Sequence, residues 1–425
     1  MTGLVTQRRL ALLSGVAATQ VLVQAIGFAA GIVLVRHMEQ AEYGYYTLAI
    51  SMVGVGNVLM DLGLGTAVLA IGGGLGGERA RVAALWGDAL VLQRRLAVWV
   101  AVLLVPAFAL LFRRQDLAWQ QVAVLSVLAT SCIALNARSQ VALSIMRLHG
   151  NVMLQQGLEI GVNLCKLMLV LVAVVIYVDA KVAVALNLLA GATLLALLLH
   201  HLTHQFGAPA ASHENVSRLG EFIRRQAPNS IYYCVSGQIS LLLIGLLGSA
   251  DKVAEAGALG RLALFFTLIG AVCTALVQPY FARTSQRRAL TTAFVAMNLF
   301  FLGLTVTLVG IATLAPGPLL WILGPRYAGL TDELTWMVLA ASLAAWSGAA
   351  YSVSAARGWV VPSRLVIPMG ISTLALCAYL IDMSTVTGAF MMNTAAAAMA
   401  TVLTIAFGAI QLVRAPLRAN AGVHP

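Results

Sequence analysis

Long apolar segments alternate with short polar segments along most of the chain. The apolar segments are rich in Leu and Ala and show no alternation of period two, so they predict helices and argue against a membrane-spanning β-barrel. A helix needs about 20 mostly apolar residues to cross a hydrocarbon core of about 30 Å. Twelve segments meet this requirement, and the ninth could extend through 315–324. Their approximate bounds are 10–35, 45–71, 96–112, 118–146, 152–178, 182–200, 227–249, 256–281, 290–314, 334–356, 359–381 and 385–412.

The composition supports a membrane protein. Of the 425 residues, 60% are hydrophobic and only 10% are charged, and the mean hydropathy is +0.91. Soluble domains carry about 25% charged residues, so this chain cannot cover a water-exposed surface. The five cysteines all lie within apolar segments and predict neither disulfides nor a metal site. A soluble enzyme is excluded, and we expect an all-α, polytopic membrane protein with about 12 transmembrane helices.

The distribution of charge predicts the orientation of the helices. Most of the 26 Lys and Arg residues fall in the polar segments that would share one side with both termini, whereas most acids fall on the other side. The positive-inside rule therefore predicts that both termini lie in the cytoplasm. It also accounts for the net charge of +11 without a nucleic-acid partner.

One polar interruption divides the chain into two similar halves. We predict an N-terminal six-helix bundle over 1–205, a cytoplasmic linker over 206–226 and a C-terminal six-helix bundle over 227–425. The tripeptide that begins at Glu42 and ends at Gly44 returns at Glu255 to Gly257, after the first span of the second half. Six spans per half give both halves the same orientation, which predicts parallel repeats.

Motifs of soluble enzymes are weak or missing. The glycines of 72–77 match G-x-G-x-x-G formally, but they follow a membrane helix rather than a strand, so a flexible exit from the helix is the better interpretation. Three histidines lie at the end of a predicted helix, with few acidic residues near them in sequence, and we expect no metal site there. They are His200, His201 and His204. The sequence contains no Walker loop, so we expect a protein that is not an enzyme and hydrolyses no ATP.

Ionisable residues inside spans carry most of the functional information, since each costs roughly 2.5 kcal/mol or more unless it is paired or hydrated. Arg138 and Glu159 fall at similar depths on successive spans, where they could form an ion pair that only fixes packing. Lys166 lies deeper, with no evident acidic partner, which predicts a water-filled cavity that receives an anion; pairing with Glu159 is the alternative. Arg261 and Arg36 lie nearer the predicted outer surface, where snorkelling or anchoring is the simpler interpretation.

Uncharged polar residues indicate which helices face such a cavity. Most of them lie in spans one, two, four, five, seven and eight, whereas spans three, six and nine to twelve are nearly free of them. Helix-to-helix hydrogen bonds are the alternative for each residue. The predicted cavity residues of this kind are Gln24, Asn57, Asn136, Asn163 and Gln238.

Several short motifs resemble those of a known family. The first span ends in an Arg, followed by a Glu-Tyr-Gly turn and a second span closing on Asp-Leu-Gly-Leu-Gly, and this order resembles the opening of the O-antigen (Wzx-type) polysaccharide flippases. The segments 278–283 and 323–328 are similar to the family's eighth helix and to its outer loop after the ninth. This family belongs to the multidrug/oligosaccharidyl-lipid/polysaccharide exporter (MOP) superfamily. The matching residues of the opening are Arg36, Glu42, Gly44, Asp61, Gly63 and Gly65.

The resemblance implies a function for these residues. It implies alternating access by two six-helix bundles that move an undecaprenyl-pyrophosphate-linked oligosaccharide from the cytoplasmic to the periplasmic leaflet, for O-antigen, lipopolysaccharide or exopolysaccharide synthesis. Arg138 and Lys166, with Arg261 and Arg36, would bind the pyrophosphate. Glu159 or Asp61 would couple transport to H⁺ or Na⁺, although Asp61 also suits a helix cap. The expected partners are the lipid-linked oligosaccharide, membrane lipids, and polysaccharide polymerase and assembly proteins, with no resident cofactor.

Two other functions remain open. A cation-coupled multidrug antiporter of the same superfamily should carry unpaired acids in its lumen, whereas the excess of charge inside these spans is basic. A membrane glycosyltransferase or ligase would need large outer loops with catalytic acids or Arg clusters, and the predicted outer loops are short.

Overall fold

The protein is all-helical, as predicted. A computed structural model describes residues 2–74, 78–284 and 286–414, with side chains except those of 2–18, 271–276, 279 and 282–283. About 88% of the chain is helical, and the described residues contain no strand. Twelve helices are long and apolar enough to cross a membrane. Pro279 and Arg283, of the segment 278–283 that resembles the family's eighth helix, lie outside the described side chains.

Fourteen α-helices and one short 3₁₀ turn follow one another along the described residues. The 3₁₀ turn, Pro325–Tyr327, follows α11. The helices are α1 Thr2–His37, α2 Gln40–Asp61, α3 Leu64–Gly72, α4 Arg79–Arg114, α5 Trp119–Leu148, α6 Val152–Ile176, α7 Ala180–Phe206, α8 Val216–Leu247, α9 Ala250–Arg283, α10 Arg287–Leu314, α11 Pro316–Leu323, α12 Thr331–Ala355, α13 Ser363–Leu380 and α14 Val386–Arg414.

Several predicted boundaries differ from the structure. The helix α8 begins at Val216 rather than near residue 227, so the second part of the predicted linker is helical. Three other differences follow from local features. The second span breaks into α2 and α3 because Leu62 and Gly63 take left-handed conformations, with φ of 40° and 89°. The third predicted span corresponds to α4, which begins at Arg79 rather than near residue 96, so the polar segment before the span is helical too. The segment 315–324 does not prolong α10, because Pro316 starts the separate helix α11.

The chain forms two compact units, Met1–Gly257 and Ala258–Pro425. The first unit holds α1 to α8 and the first turns of α9, and α8 packs on α2, α3 and α4. In the second unit α12 packs mainly on α14 and α10, and α14 also contacts α13. The bundle boundary predicted at 206–226 stays a prediction.

Within the first unit, each copy of the Glu-x-Gly motif packs against the helix that carries the other copy. Gly44 of α2 lies directly beneath the Ala250 carbonyl, and Gly257 of α9 lies against the Thr47 side chain; a Cβ on either glycine would overlap these atoms. The carboxylate of Glu255, held by Lys252 at 2.9 Å, also accepts a 3.4 Å hydrogen bond from Gln40. The repeated glycines therefore allow α2 and α9 to approach at close range.

The segment between α7 and α8 is fastened to α4 by a buried carboxylate. Asp88 is fully buried and accepts hydrogen bonds from the amides of Ser212, His213 and Asn215 at 2.7–3.0 Å, and from two of their side chains. The Ala210 amide adds a bond to the α4 backbone. A buried carboxylate is tolerated only when its oxygens are saturated in this way. The linker is thus an ordered part of the first unit.

We expect Gly44→Ala to destabilise the protein, because the added methyl must push the Ala250 backbone away. Overpacking of this kind costs about 1–3 kcal/mol. The measurement is the apparent melting temperature of the purified protein in detergent. Gly161→Ala is the matched control, since a Cβ at Gly161 meets no atom within 4 Å. Equal melting temperatures for the two variants would contradict the close approach of α2 and α9.

We expect Asp88→Ala to release the linker, because several amide donors lose their acceptor at a cost of about 2–4 kcal/mol. Limited proteolysis within 207–215 should become about tenfold faster or more. The control is Glu78→Ala at the start of the same helix, where the carboxylate forms only an exposed ion pair with Arg81. Unchanged cleavage in Asp88→Ala would show that the carboxylate does not hold the linker.

Candidate functional site

A polar cluster lies among the apolar helices of the first unit. The way these helices pack determines which side chains belong to it. Although α6 follows α5 in sequence, α6 packs mainly on α1 and α7, while α7 also packs on α5 and α2. Side chains at the middle of α6 can therefore reach α7, which in turn contacts α2. Lys166, at the centre of α6, lies in this position.

Lys166 binds a neutral amide. Its Nζ donates a 2.5 Å hydrogen bond to Oδ1 of Asn187 on α7. The Asn187 Nδ2 donates to the Ala183 carbonyl one turn earlier at 2.8 Å, and more weakly, at 3.4 Å, to the hydroxyl of buried Tyr46 on α2. Lys166, Asn187 and Tyr46 form what we name the lysine cluster, which joins α6, α7 and α2.

The charge of Lys166 is not balanced by a nearby acid. None of the ion pairs among the described residues includes Lys166. Its side chain is partly exposed. An ammonium group at the middle of a membrane helix is stable only with water or an anion beside it. The lysine cluster therefore has the chemistry of an anion site.

The ion pair considered between Arg138 and Glu159 is not formed. Arg138 is exposed on α5 and has no hydrogen-bond or ion-pair partner among the described residues. Glu159 instead accepts a 2.9 Å hydrogen bond from Gln155, which in turn accepts one from Arg147. The expectation failed because it assumed that α5 and α6 pack as a hairpin, whereas α6 packs chiefly on α1 and α7.

Asp61 has the geometry of a helix cap. Its two carboxylate oxygens accept the amides of Gly63 at 3.2 Å and Gly65 at 2.9 Å. These amides belong to the start of α3, where the first turn has no internal acceptors. The Asp-Leu-Gly-Leu-Gly motif thus encodes the sharp break between α2 and α3, because Gly63 supplies the left-handed conformation and Asp61 satisfies the new helix start.

The other predicted polar residues have mixed surroundings. Asn163 donates to the Glu159 carbonyl of its own helix at 2.8 Å. Asn136 faces Gly191 of α7, where a Cβ would lie 3.2 Å from its Oδ1. Asn57 of α2 has an enclosed Oδ1 without a hydrogen-bond partner among the described residues. Gln238 of α8 reaches α2 near Gly54.

The remaining candidates are not part of the lysine cluster. Gln24 and Arg36 lie on α1, Gln24 near its middle and Arg36 in its last turn, and both have interaction partners. Arg261 also has a partner and belongs to the second unit.

The second unit holds a separate cavity of about 370 Å³ between α9 and α12. Small and apolar side chains line it, and no ionisable group is among these described lining residues. The lining residues are Ala263, Phe266, Thr267, Gly270, Ala341, Ala344, Ala345, Gly348, Ala349 and Ser352.

Sequence reasoning missed three residues that hold polar groups in place. Asn187 lies in a span expected to be nearly free of cavity residues, and nothing in the sequence pattern singled out Tyr46. Asp88 lies in a stretch that the apolar pattern left outside the spans. The sequence did contain a signal for Asn187, because an Asn within two turns of the centre of a membrane span is a polar residue that needs a partner.

Comparisons with known proteins show the fold. No known family model matches the sequence, and no curated protein is similar to it. Among solved structures, the chain is similar to a eukaryotic MATE transporter at 15% identity, a TM-score of 0.61 and 97% coverage of each chain. It is also similar to an inward-facing multidrug resistance MATE transporter of the MOP superfamily, at 14% identity and a TM-score of 0.66, over 94% of this chain and 96% of the other.

A third similar structure adds a contrast in pocket chemistry. It is a MOP superfamily transporter from Pyrococcus furiosus, described as having a binding pocket of reversed polarity that suggests a different function. The identity is 13% and the TM-score 0.63, over 95% of this chain and 94% of that one. Together these likenesses show that the chain has the MATE fold over nearly its whole length.

We expect Asp61→Asn to keep both stability and transport, because an Asn carbonyl can still accept the Gly65 amide. Asp61→Ala should lose about 1 kcal/mol as the cap disappears. The measurements are the apparent melting temperature and the transport assay described below. A stable Asp61→Asn protein that no longer transports would instead assign a coupling proton to this carboxylate.

Proposed function

We propose that the chain is a transporter of the MOP superfamily that works by alternating access, without a chemical step of its own. The MATE fold, matched over nearly the full length of the chain, supports this proposal. The order of the Arg, Glu-Tyr-Gly and Asp-Leu-Gly-Leu-Gly motifs at its start supports it too.

For the cargo, we propose a lipid-linked oligosaccharide with a pyrophosphate headgroup, moved between the leaflets of the membrane. The single observation that carries this proposal is the unneutralised ammonium of Lys166 at the centre of α6, held by a neutral amide. A pyrophosphate cannot cross hydrocarbon without cationic hydrogen-bond donors that replace its hydration. Exposed Arg138 on α5 is the second cation that we assign to the same role.

A multidrug antiporter is the second candidate, and the comparisons favour it over the flippase. Matched structures are described as multidrug resistance transporters, and the apolar cavity of the second unit suits a hydrophobic cargo. The described carboxylates speak against organic cations, however. Asp61 and Asp88 each accept two or more hydrogen bonds, whereas Glu159 accepts one, from Gln155, so Glu159 is the acid that such a transporter would use most readily.

The remaining features follow from this proposal. We place the protein in a bacterial inner membrane with both termini in the cytoplasm, since most basic residues lie in the segments on that side. Coupling to H⁺ or Na⁺, with Glu159 as the coupling group, and contact with polysaccharide polymerase and assembly proteins belong to the same proposal.

We expect Lys166→Ala to reduce cargo transfer by roughly tenfold or more, because the anion loses its charged hydrogen bond. The measurement uses proteoliposomes and two probes, a fluorescent short-chain prenyl pyrophosphate and the organic cation ethidium. Lys166→Arg should retain most of the pyrophosphate transfer, since it keeps the positive charge.

The two probes distinguish the candidates. Transfer of the prenyl pyrophosphate that depends on Lys166 supports the flippase. Transfer of ethidium alone, lost in Glu159→Gln and unchanged in Lys166→Ala, would replace the flippase with the antiporter. Failure to move either probe would count against the flippase proposal.

A further inference from the structure

The orientation of the Asn187 amide in the lysine cluster is determined from both ends. Its Nδ2 donates to the Ala183 carbonyl at 2.8 Å, and its Oδ1 accepts from the Lys166 ammonium at 2.5 Å. A flipped amide would point its donors at the ammonium and its oxygen at a carbonyl, so both contacts would become repulsive. Asn187 therefore presents an acceptor, and only an acceptor, to Lys166.

This contact positions the ammonium without cancelling its charge. An ammonium group has three donors, and Asn187 is the partner of one. The other donors and the full positive charge remain available to a ligand. An aspartate at the same position would have nearly the same shape, but it would form an ion pair with Lys166 and remove the net charge of the site.

We propose that Asn187 is a specificity-determining residue that makes the lysine cluster select phosphate-bearing anions. Its neutral amide aims Lys166 at the ligand while leaving the site cationic. Tyr46 supports this arrangement, because its hydroxyl accepts the weaker 3.4 Å contact from the Asn187 Nδ2 and ties α2 to the cluster. This inference rests on the proposed anionic cargo and extends it to a residue that touches the binding cation.

The test measures ligand binding to the purified full-length protein and three variants in detergent, by isothermal titration calorimetry. The ligands are farnesyl pyrophosphate, inorganic pyrophosphate and tetraphenylphosphonium, so the lipid-linked and free forms of the anion are separated from a lipophilic cation. Asn187→Asp should weaken farnesyl pyrophosphate binding on the order of tenfold to a hundredfold. Asn187→Ala, which removes the tether and adds no charge, should weaken it only a few-fold.

Asn298→Asp on α10 is a matched control. The Asn298 amide donates to the carbonyl four residues earlier, Phe294, at 2.7 Å and accepts from the Trp346 indole at 2.8 Å. It therefore has the same bonding pattern as Asn187, but its partner is uncharged. We expect farnesyl pyrophosphate affinity close to wild type in Asn298→Asp, and the apparent melting temperature of each variant reports whether it is folded.

The outcomes separate this inference from the proposed cargo. Wild-type binding of farnesyl pyrophosphate that is unchanged in folded Asn187→Asp, or equally weakened in Asn187→Ala and Asn187→Asp, overturns the role of Asn187 alone. Wild-type protein that binds only tetraphenylphosphonium overturns the anionic cargo and this inference with it. Binding of inorganic pyrophosphate with the same dependence on position 187 would support selection of the anion but assign its source to free phosphate compounds.

Discussion

A charged group buried away from water needs hydrogen-bond partners within the protein, and this requirement shapes the first unit. Asp88 accepts hydrogen bonds from the linker, and Asp61 caps the helix that starts three residues later. Glu159 accepts from Gln155 of its own helix. In each case the carboxylate is stabilised by donors from a loop, a helix start or a neighbouring turn, because burial separates it from water.

Lys166 is the exception among these charged groups, and it makes its part of the first unit cationic. Its partner is an amide, which accepts one hydrogen bond from the ammonium without balancing the positive charge. A structural role alone would be better served by an acidic partner or by an apolar residue of similar volume. A cation kept charged at the middle of a membrane helix instead suits a site that is filled in turn by water and by an anionic headgroup.

The comparisons and the chemistry of the site bear on different parts of the function. Likeness to MATE transporters at 13–15% identity shows the arrangement of helices, and such a fold can carry sites of different charge. The class of cargo that such a fold carries depends on the few side chains that line its transport path. On this chain the described carboxylates are largely occupied, whereas Lys166 and Arg138 carry charge without an acidic partner among the described residues.

Hydropathy by itself determined the twelve spans, the helical class and the positions of the costly residues, because the length and apolarity of a segment are local properties. The sequence also pointed to Lys166, since a charge at mid-span is visible without a structure. Only the tertiary structure decided that α6 packs on α7 rather than chiefly on α5, which brought Asn187 to Lys166 and kept Arg138 from Glu159. The physical reason is that lipid-facing and helix-facing surfaces are both apolar in a membrane, so the pattern of apolar residues does not encode which helices become neighbours.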